Sequence, residues 1–274
     1  MKTLFIRALT GLIFIIVIIG AICFHPYAYL AVFTLIVGLA LWEFYGLVGY
    51  EKPKRYHTLI GITGGIYFFV ASFFYAKGCV SGCIFSPYIG FLIILLIAGL
   101  YHKSANPVND WGMALFAQFY CVGLLSFLNL IAFNPSTHLY VPHFVMSIFI
   151  LVWVNDTGAY LVGSNFGKRR LFPRISPRKS WEGFWGGFAL ALGASQLFAH
   201  FFPQIIWYHW LGLTIVTVVI GTWGDLVESL IKRTYGAKDS GSLLPGHGGI
   251  LDRFDSVILA APAVYLYIEL FIRN

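Results

Sequence analysis

Charged side chains are scarce in this 274-residue sequence, where lysine, arginine, aspartate and glutamate together make up only 11% of the residues. A soluble domain averages about 25% charged residues. Hydrophobic residues make up 59% of the chain, and the mean hydropathy is +0.80. A soluble fold has too little interior to bury so much apolar surface. The composition therefore excludes a soluble globular protein and predicts an integral membrane protein.

Cysteine is also scarce, with four residues at positions 23, 79, 83 and 121. They show neither a CxxC pair nor the spacing of a metal site, which excludes a disulfide framework and a structural zinc site. We interpret them as lone buried thiols. The chain has no internal repeat and no low-complexity stretch, and its longest polar connection runs from Gly167 to Ser180. We therefore expect one membrane domain over residues 1–274 and no nucleic-acid partner.

The apolar residues fall into nine runs of approximately the length that crosses a bilayer, about 20 residues each. Lys2 and Arg7 precede the first run as in a secretory signal, but no clean cleavage site follows, so we interpret it as a retained span. The sequence thus predicts an all-α polytopic protein with about nine transmembrane helices. The predicted spans are 4–24, 27–49, 58–76, 86–102, 111–133, 143–165, 182–202, 206–231 and 256–272.

The distribution of lysine and arginine predicts the orientation of these spans. With a cytoplasmic N-terminus and an external C-terminus, 16 of the 18 basic residues face the cytoplasm, and only Lys77 and Arg273 lie outside. Basic residues are enriched in cytoplasmic connections, and the opposite orientation would invert this count. The net charge of +7 would then lie on the face where anionic lipids and polyphosphates are found.

Acidic residues concentrate in the second half, where seven of the eleven lie between Asp156 and Asp255. A charge inside a membrane is costly, so a cluster of such charges indicates a functional interior rather than isolated structural ion pairs. Helical spacing places Asp225, Glu228, Ser229 and Lys232 on one polar stripe. A carboxylate, a hydroxyl and an ammonium group on one stripe are suited to a metal-bound phosphate.

A glycine-rich turn follows this stripe, at Pro245–Gly249, and its backbone N–H groups are suited to an anion. Asp252 and Asp255 come next and flank Arg253. If they lie in the first turn of the last helix, both carboxylates project from one side of it. Mg²⁺ prefers carboxylates together with substrate phosphates, so Asp225 and Asp252 are the predicted metal ligands.

Two further segments carry polar groups towards this region. Asn155 and Asp156 interrupt the sixth span, where they either line a cavity or form hydrogen bonds between helices. Six basic residues lie within Lys168–Lys179, more than orientation of one connection requires, so a role in phosphate binding is at least equally plausible. Trp181 either stacks on a base or anchors the chain at the membrane interface.

The segment from Ser229 to Asp255 resembles the defining motif of bacterial phosphatidate cytidylyltransferases, also called CDP-diglyceride synthases. It contains Ser-x-Ile-Lys-Arg, Lys-Asp-x-Gly and Leu-Pro-x-His-Gly-Gly-Ile-x-Asp-Arg-Phe-Asp in the family's order and spacing. Ser176–Gly183 and the pair Asn155-Asp156 resemble further family features. The resemblance covers residues 141–274, predicted to carry the catalytic site. Residues 1–140 match in hydropathy and span number alone, so we expect structural spans there, with dimer contacts.

The resemblance implies a multi-pass enzyme of the bacterial cytoplasmic (inner) membrane, often a homodimer, that joins CTP to phosphatidic acid and releases pyrophosphate. It implies Mg²⁺ at Asp225 and Asp252, and a second, monovalent cation such as K⁺. Catalytic roles would fall to Asp225, Asp252, Lys232 and Ser229. Substrate-binding roles would fall to Arg178, Lys179, Ser180, Arg233, Lys238, Asp239, His247, Arg253 and Asp255.

Alternative functions share some of these features. An ion-coupled membrane transporter would also have intramembrane carboxylates, although transporters commonly show repeats with paired broken helices. A CDP-alcohol phosphotransferase would need an Asp-Gly-x2-Ala-Arg core, which the sequence lacks. A scaffold protein would not need two metal-like aspartates near a basic segment.

Overall fold

The fold was analysed in a computed structural model, which describes residues 2–49, 55–101, 103, 106–243 and 248–273. Apart from turns and loops, the described chain is helical, with one short β-hairpin and isolated bridge residues such as Phe133 and Tyr140. The helices are α1 (Lys2–Phe24), α2 (Pro26–Leu47), α3 (Arg55–Ala76), α4 (Ser86–Leu100), α5 (Pro107–Ala117), α6 (Leu124–Ala132), α7 (Pro142–Phe166), α8 (Trp181–Phe201), α9 (Trp207–Thr234) and α10 (Leu251–Phe271).

Each predicted apolar run corresponds to a helix or to a continuous helical segment. The fifth run comprises α5 and α6, which are joined by a π-helical turn at Gln118–Gly123. Within the described residues, seven helical segments are long and apolar enough to cross a membrane. In α1 the comparable stretch is the shorter Leu9–Phe24, and α8 is not among the seven. The polytopic helical fold is thus confirmed, whereas the number nine and the orientation stay predictions.

The chain forms two compact units, each built from two segments of sequence. Unit 1 comprises Met1–Pro142 and Tyr235–Arg253, and unit 2 comprises His143–Thr234 and Phe254–Asn274. The motif from Ser229 to Asp255 is therefore divided between the two units.

Unit 1 has an aromatic and aliphatic core with a few buried polar groups that are hydrogen-bonded. The amide of Asn129 accepts from the Tyr29 hydroxyl and donates to the Phe69 carbonyl and the Ser72 hydroxyl. Gln118 donates to the Tyr45 hydroxyl. These bonds offset the cost of placing amides in an apolar interior.

In unit 2, glycine allows α7 and α8 to pack closely. A Cβ atom at Gly158 would lie 2.9 Å from the Gly187 Cα, and a Cβ atom at Gly187 would lie 2.6 Å from the Asn155 Oδ1. In α9, a Cβ atom at Gly224 would lie 2.7 Å from the Asp255 carbonyl oxygen. Gly224 thus allows another backbone to approach α9 closely, as is common where membrane helices associate.

The basic segment before α8, which the sequence showed only as a polar connection, forms a β-hairpin. Strand β1 (Arg170–Phe172) pairs antiparallel with β2 (Ser176–Ser180). Only Leu171, Ile175 and Ser180 of this stretch are buried. Such short strands leave little periodicity for sequence reasoning to detect. The hairpin directs the chain into α8 and fixes the positions of its basic side chains.

Candidate active site

A cavity of about 540 Å³ lies in unit 2, between helices α7, α8 and α9 and the hairpin. Its wall combines cations, carboxylates and hydroxyls with aromatic and small residues. The lining residues are Asn155, Asp156, Ala159, Tyr160, Gly163, Ser164, Gly167, Arg170, Leu171, Arg178, Lys179, Ser180, Gly183, Phe184, Thr222 and Asp225. Asn155 and Asp156 thus line a cavity, which is one of the two alternatives that the sequence left open.

Asp225, on α9, forms an ion pair with Lys179 at the end of β2. The two side chains are 24% and 30% exposed, so the pair is accessible from the cavity. The Ser229 hydroxyl, one turn further along α9, lies 3.2 Å from the second oxygen of Asp225 and donates to it. The structure thus brings together three of the predicted site residues.

The remaining members of the polar stripe form a separate, buried pair. Lys232 donates to Glu228 over 2.9 Å, and the Glu228 side chain has no exposed surface. The spacing of four residues along α9 produces this contact. Neither residue lines the cavity, so the predicted stripe divides into an accessible half, Asp225 and Ser229, and a buried half.

Three of the six cations in the hairpin segment line the cavity: Arg170, Arg178 and Lys179. The base of the hairpin is held by Glu182, which accepts hydrogen bonds of 3.1 Å from the backbone N–H groups of Lys168 and Arg169. These contacts join the start of the basic segment to the first turn of α8.

Ser180 joins the hairpin to α8 and begins that helix. Its hydroxyl accepts from the Gly183 N–H over 3.2 Å and caps the helix N-terminus. The side chain is buried and lines the cavity. Ser180, predicted to bind substrate, therefore has a structural role as well.

Two carboxylates of unit 2, those of Asp156 and Asp225, lie on the wall of the same cavity. Among the described residues, no group of three or more His, Cys, Asp or Glu side chains is arranged to hold a metal by itself. Mg²⁺ commonly binds through one or two carboxylates together with substrate phosphates. This donor set therefore fits a divalent cation that arrives with a polyphosphate.

Asp252 lies in unit 1, in the first turn of α10, as expected. One of its oxygens accepts from the backbone N–H groups of Ser240, over 3.0 Å, and Gly249, over 2.8 Å. Gly248 has a φ of +80°, a left-handed conformation that favours glycine. The predicted close-approach turn is therefore folded around Asp252 in its described part.

Glu43 is a residue of this region that sequence reasoning missed. It lies on α2, and its buried carboxylate accepts hydrogen bonds from the Ser240 hydroxyl and from the backbone N–H groups of Ile250 and Leu251. The signal was present, because Glu43 is a carboxylate inside an apolar run. It was overlooked since it lies outside the motif.

Other predicted site residues lie at the protein surface. Arg233 at the end of α9, Lys238 and Asp239 after it, and Arg253 in α10 are exposed. His247 lies outside the described residues.

Comparisons with known proteins complete these observations. A sequence model of the cytidylyltransferase family matches residues 5–271. The phosphatidate cytidylyltransferase of Haemophilus influenzae is 32% identical over an alignment of 291 residues, gaps included. The alignment covers 93% of this chain and 95% of that protein. The enzyme of the same name from Bacillus subtilis is 50% identical over 123 residues, 44% of this chain and 46% of that protein. Its Staphylococcus aureus counterpart is 48% identical over 122 residues, with the same two shares.

Proposed function

The chain belongs to the cytidylyltransferase family, and from this premise we propose that it is a phosphatidate cytidylyltransferase. It would convert CTP and phosphatidic acid into CDP-diacylglycerol and pyrophosphate. The similarity to the Haemophilus influenzae enzyme over nearly the whole of both chains supports this choice of substrates.

The observation that carries the proposal is the cavity of unit 2. Arg170, Arg178 and Lys179 contribute three cations to its wall, and Asp156 and Asp225 contribute two carboxylates. Cations of this kind bind phosphates, and carboxylates bind the metal that accompanies a nucleoside triphosphate. A volume of about 540 Å³ is within the ordinary range for a small-molecule site.

The reaction is an in-line displacement at phosphorus. An oxygen of the phosphatidic acid phosphate attacks the α-phosphorus of CTP, and a new P–O bond forms. The bond from the α-phosphorus to the oxygen bridging it to the β-phosphate breaks, and pyrophosphate leaves with the electron pair. The attacking oxygen is already anionic near neutral pH, so no strong base is required. Catalysis then depends on positioning and on neutralisation of charge.

The residues on the cavity wall would supply both effects. Lys179 and Arg178 would bind the triphosphate, and the Ser229 hydroxyl would hold Asp225 in orientation. Lys232 is the remaining cation proposed to offset phosphate charge, and its ammonium group pairs with the buried Glu228. The exposed Arg233, Lys238 and Arg253 would attract the anionic substrates. Asp239 and Asp255 would orient cationic side chains or join the second cation site, and His247 would shape the glycine-rich loop.

Mg²⁺ is the cofactor we propose, with Asp225 and Asp252 both required for its use. When bound, the ion would neutralise phosphate charge and stabilise the departing pyrophosphate. The carboxylates of Asp156 and Asp225 on the cavity wall support a cation in unit 2. A second, monovalent ion such as K⁺ is proposed from the family resemblance.

The proposal includes the placement of the protein in the membrane. We propose nine spans, a cytoplasmic N-terminus, an external C-terminus and a homodimer in the bacterial inner membrane. The bias of basic residues supports this orientation. It gives the hairpin access to cytoplasmic CTP.

The proposal is tested with purified protein in detergent, labelled CTP, Mg²⁺ and phosphatidic acid. A labelled CDP-lipid and one equivalent of pyrophosphate are expected. Omission of phosphatidic acid serves as the control. Absence of a CDP-lipid from folded protein would overturn the proposal, and ion-dependent solute uptake into vesicles would favour the transporter alternative.

A further inference from the structure

Glu43 is a buried acidic residue far from the motif in sequence. Only 5% of its surface is exposed, and it lies near the end of α2, a helix of otherwise uncharged residues. A buried carboxylate is costly unless hydrogen bonds compensate for its lost hydration. The hydrogen-bond partners of Glu43 therefore show which part of the protein this buried carboxylate stabilises.

All of these contacts are made by the motif segment of unit 1, which is the part of the Ser229–Asp255 motif between Tyr235 and Arg253. One carboxylate oxygen accepts from the Ile250 N–H over 2.9 Å, and the other accepts from the Leu251 N–H over 2.9 Å and from the Ser240 hydroxyl over 3.1 Å. The two N–H groups belong to the start of α10, where backbone donors lack partners within the helix. Glu43 thus joins both ends of the segment between Ser240 and Leu251.

The segment fits closely around this carboxylate. A Cβ atom at Gly241 or at Gly249 would collide with the Glu43 carboxylate. Glycine at these two positions is therefore explained by the approach of Glu43, and not by an unusual backbone conformation. The same contact places a narrow limit on how the segment can move relative to α2.

The segment held by Glu43 also holds Asp252. Ser240 donates its hydroxyl to Glu43 and its backbone N–H to Asp252. Gly249 donates to Asp252, and the next residue, Ile250, donates to Glu43. Loss of the Glu43 contacts would thus release both backbone donors that orient the Asp252 carboxylate.

We propose that Glu43 is a positioning residue for the nucleotidyl transfer, acting through Ser240 and the start of α10 to orient Asp252. The inference rests on the proposed function. It assigns to the first 140 residues a part in the reaction, beyond the structural role expected from the sequence.

Replacement of Glu43 by glutamine tests this with little change in shape. A carboxylate offers two acceptor oxygens, whereas an amide offers one oxygen and an N–H₂ group that cannot accept. At least one donor among Ser240, Ile250 and Leu251 would therefore lose its acceptor. We expect hydrogen exchange to accelerate at the amides of residues 240 and 249–251. We also expect kcat to fall by about tenfold or more, with the KM for CTP changed less than about threefold.

Asn129→Ala provides the matched control. Asn129 is also buried in unit 1 and also makes three hydrogen bonds, but none of them involves the motif segment. We expect this variant to lose thermal stability while exchange at residues 240 and 249–251 and kcat per folded molecule stay as in the wild type. Equal loss of kcat in both variants would overturn the positioning role.

Ser240→Ala is the second variant if Glu43→Gln does not fold. It removes one donor to Glu43 and keeps the backbone bond to Asp252, so a smaller increase in exchange and a smaller decrease in kcat are expected. Unchanged exchange in the folded variant, or faster exchange with unchanged kcat, would overturn the inference. A wild-type protein that makes no CDP-lipid would refute the proposed function instead, and hydrogen exchange would still decide whether Glu43 orders the segment.

Discussion

Lys179 at the end of β2 pairs with Asp225 on α9, and both side chains line the cavity of unit 2. Partly exposed ion pairs contribute only about 0–1 kcal/mol to stability, so their partners can be exchanged at little cost. A triphosphate entering with a divalent cation would offer each residue a new partner of opposite charge. We therefore propose that the pair holds both groups in place until the substrate binds.

The first prediction concerns Lys179→Ala. Loss of one charge-assisted contact to a phosphate costs about 1.5–3 kcal/mol, so the CTP concentration for half-maximal rate should rise roughly ten- to a hundredfold. Lys179→Arg should restore the charge but not the geometry, because guanidinium and ammonium groups present different donors. Steady-state kinetics at varied CTP measure both effects.

Arg174→Ala is the control for that experiment. Arg174 lies in the same hairpin, is exposed and does not line the cavity. It should insert normally and keep the wild-type CTP requirement. If Lys179→Ala also leaves the CTP requirement unchanged, the segment serves only to set topology.

The second prediction concerns Asp225 and Asp252, the two aspartates proposed to be required for the use of Mg²⁺. Asp225→Asn and Asp252→Asn keep the size of the side chain and remove its charge. Each should lower kcat by about a hundredfold or more, as loss of one transition-state electrostatic contact does. Asp110→Asn, in the first turn of α5, is the matched control and should retain activity. Near-normal CDP-lipid synthesis in either variant would refute the assignment.

The third prediction is that a chelator abolishes activity and added Mg²⁺ restores it. Mg²⁺ together with CTP should bind the folded protein and not the unfolded chain, so it should also raise the melting temperature in detergent. The Asp225→Asn variant should lose most of that rise. A chelated enzyme with full activity would contradict the cofactor assignment.

The fourth prediction uses the native cysteines to test the orientation. Buried thiols were expected from the sequence, but only Cys121 is buried, and Cys23 is exposed. Cys79 and Cys83, which follow α3, are exposed as well. With a cytoplasmic N-terminus they lie outside, so an impermeant thiol reagent should label them in intact cells. Arg174→Cys in a chain whose native cysteines are replaced by serine should react only after permeabilisation. The reverse pattern would invert the topology.

The fifth prediction concerns the packing of α7 against α8. Replacement of glycine by alanine inside a helix normally stabilises by about 0.5–1 kcal/mol, and Gly193→Ala should do so because nothing lies within 4 Å of the added atom. Gly187→Ala should destabilise by about 1–3 kcal/mol, because the added atom meets Asn155. Thermal unfolding in detergent compares the two. Equal stability would contradict the close approach.

The motif residues illustrate how far sequence reasoning reached. The spacing of Asp225 and Ser229 predicted their shared helix face, because helical periodicity is a local property. The same spacing placed Glu228 and Lys232 with them, yet these two form a buried pair away from the cavity. Whether a helix face meets solvent, a cavity or another helix depends on its neighbours.

The sequence by itself determined that the protein lies in a membrane, where its apolar helices run and which family motif it carries. Hydropathy and motif spacing are properties of contiguous residues, so they can be read without a fold. Only the tertiary structure decided that the basic segment forms a hairpin, that Lys179 pairs with Asp225 across 46 residues of sequence, and that Glu43 holds Ser240 across 197. Local sequence patterns do not encode such contacts, because they depend on how distant helices pack.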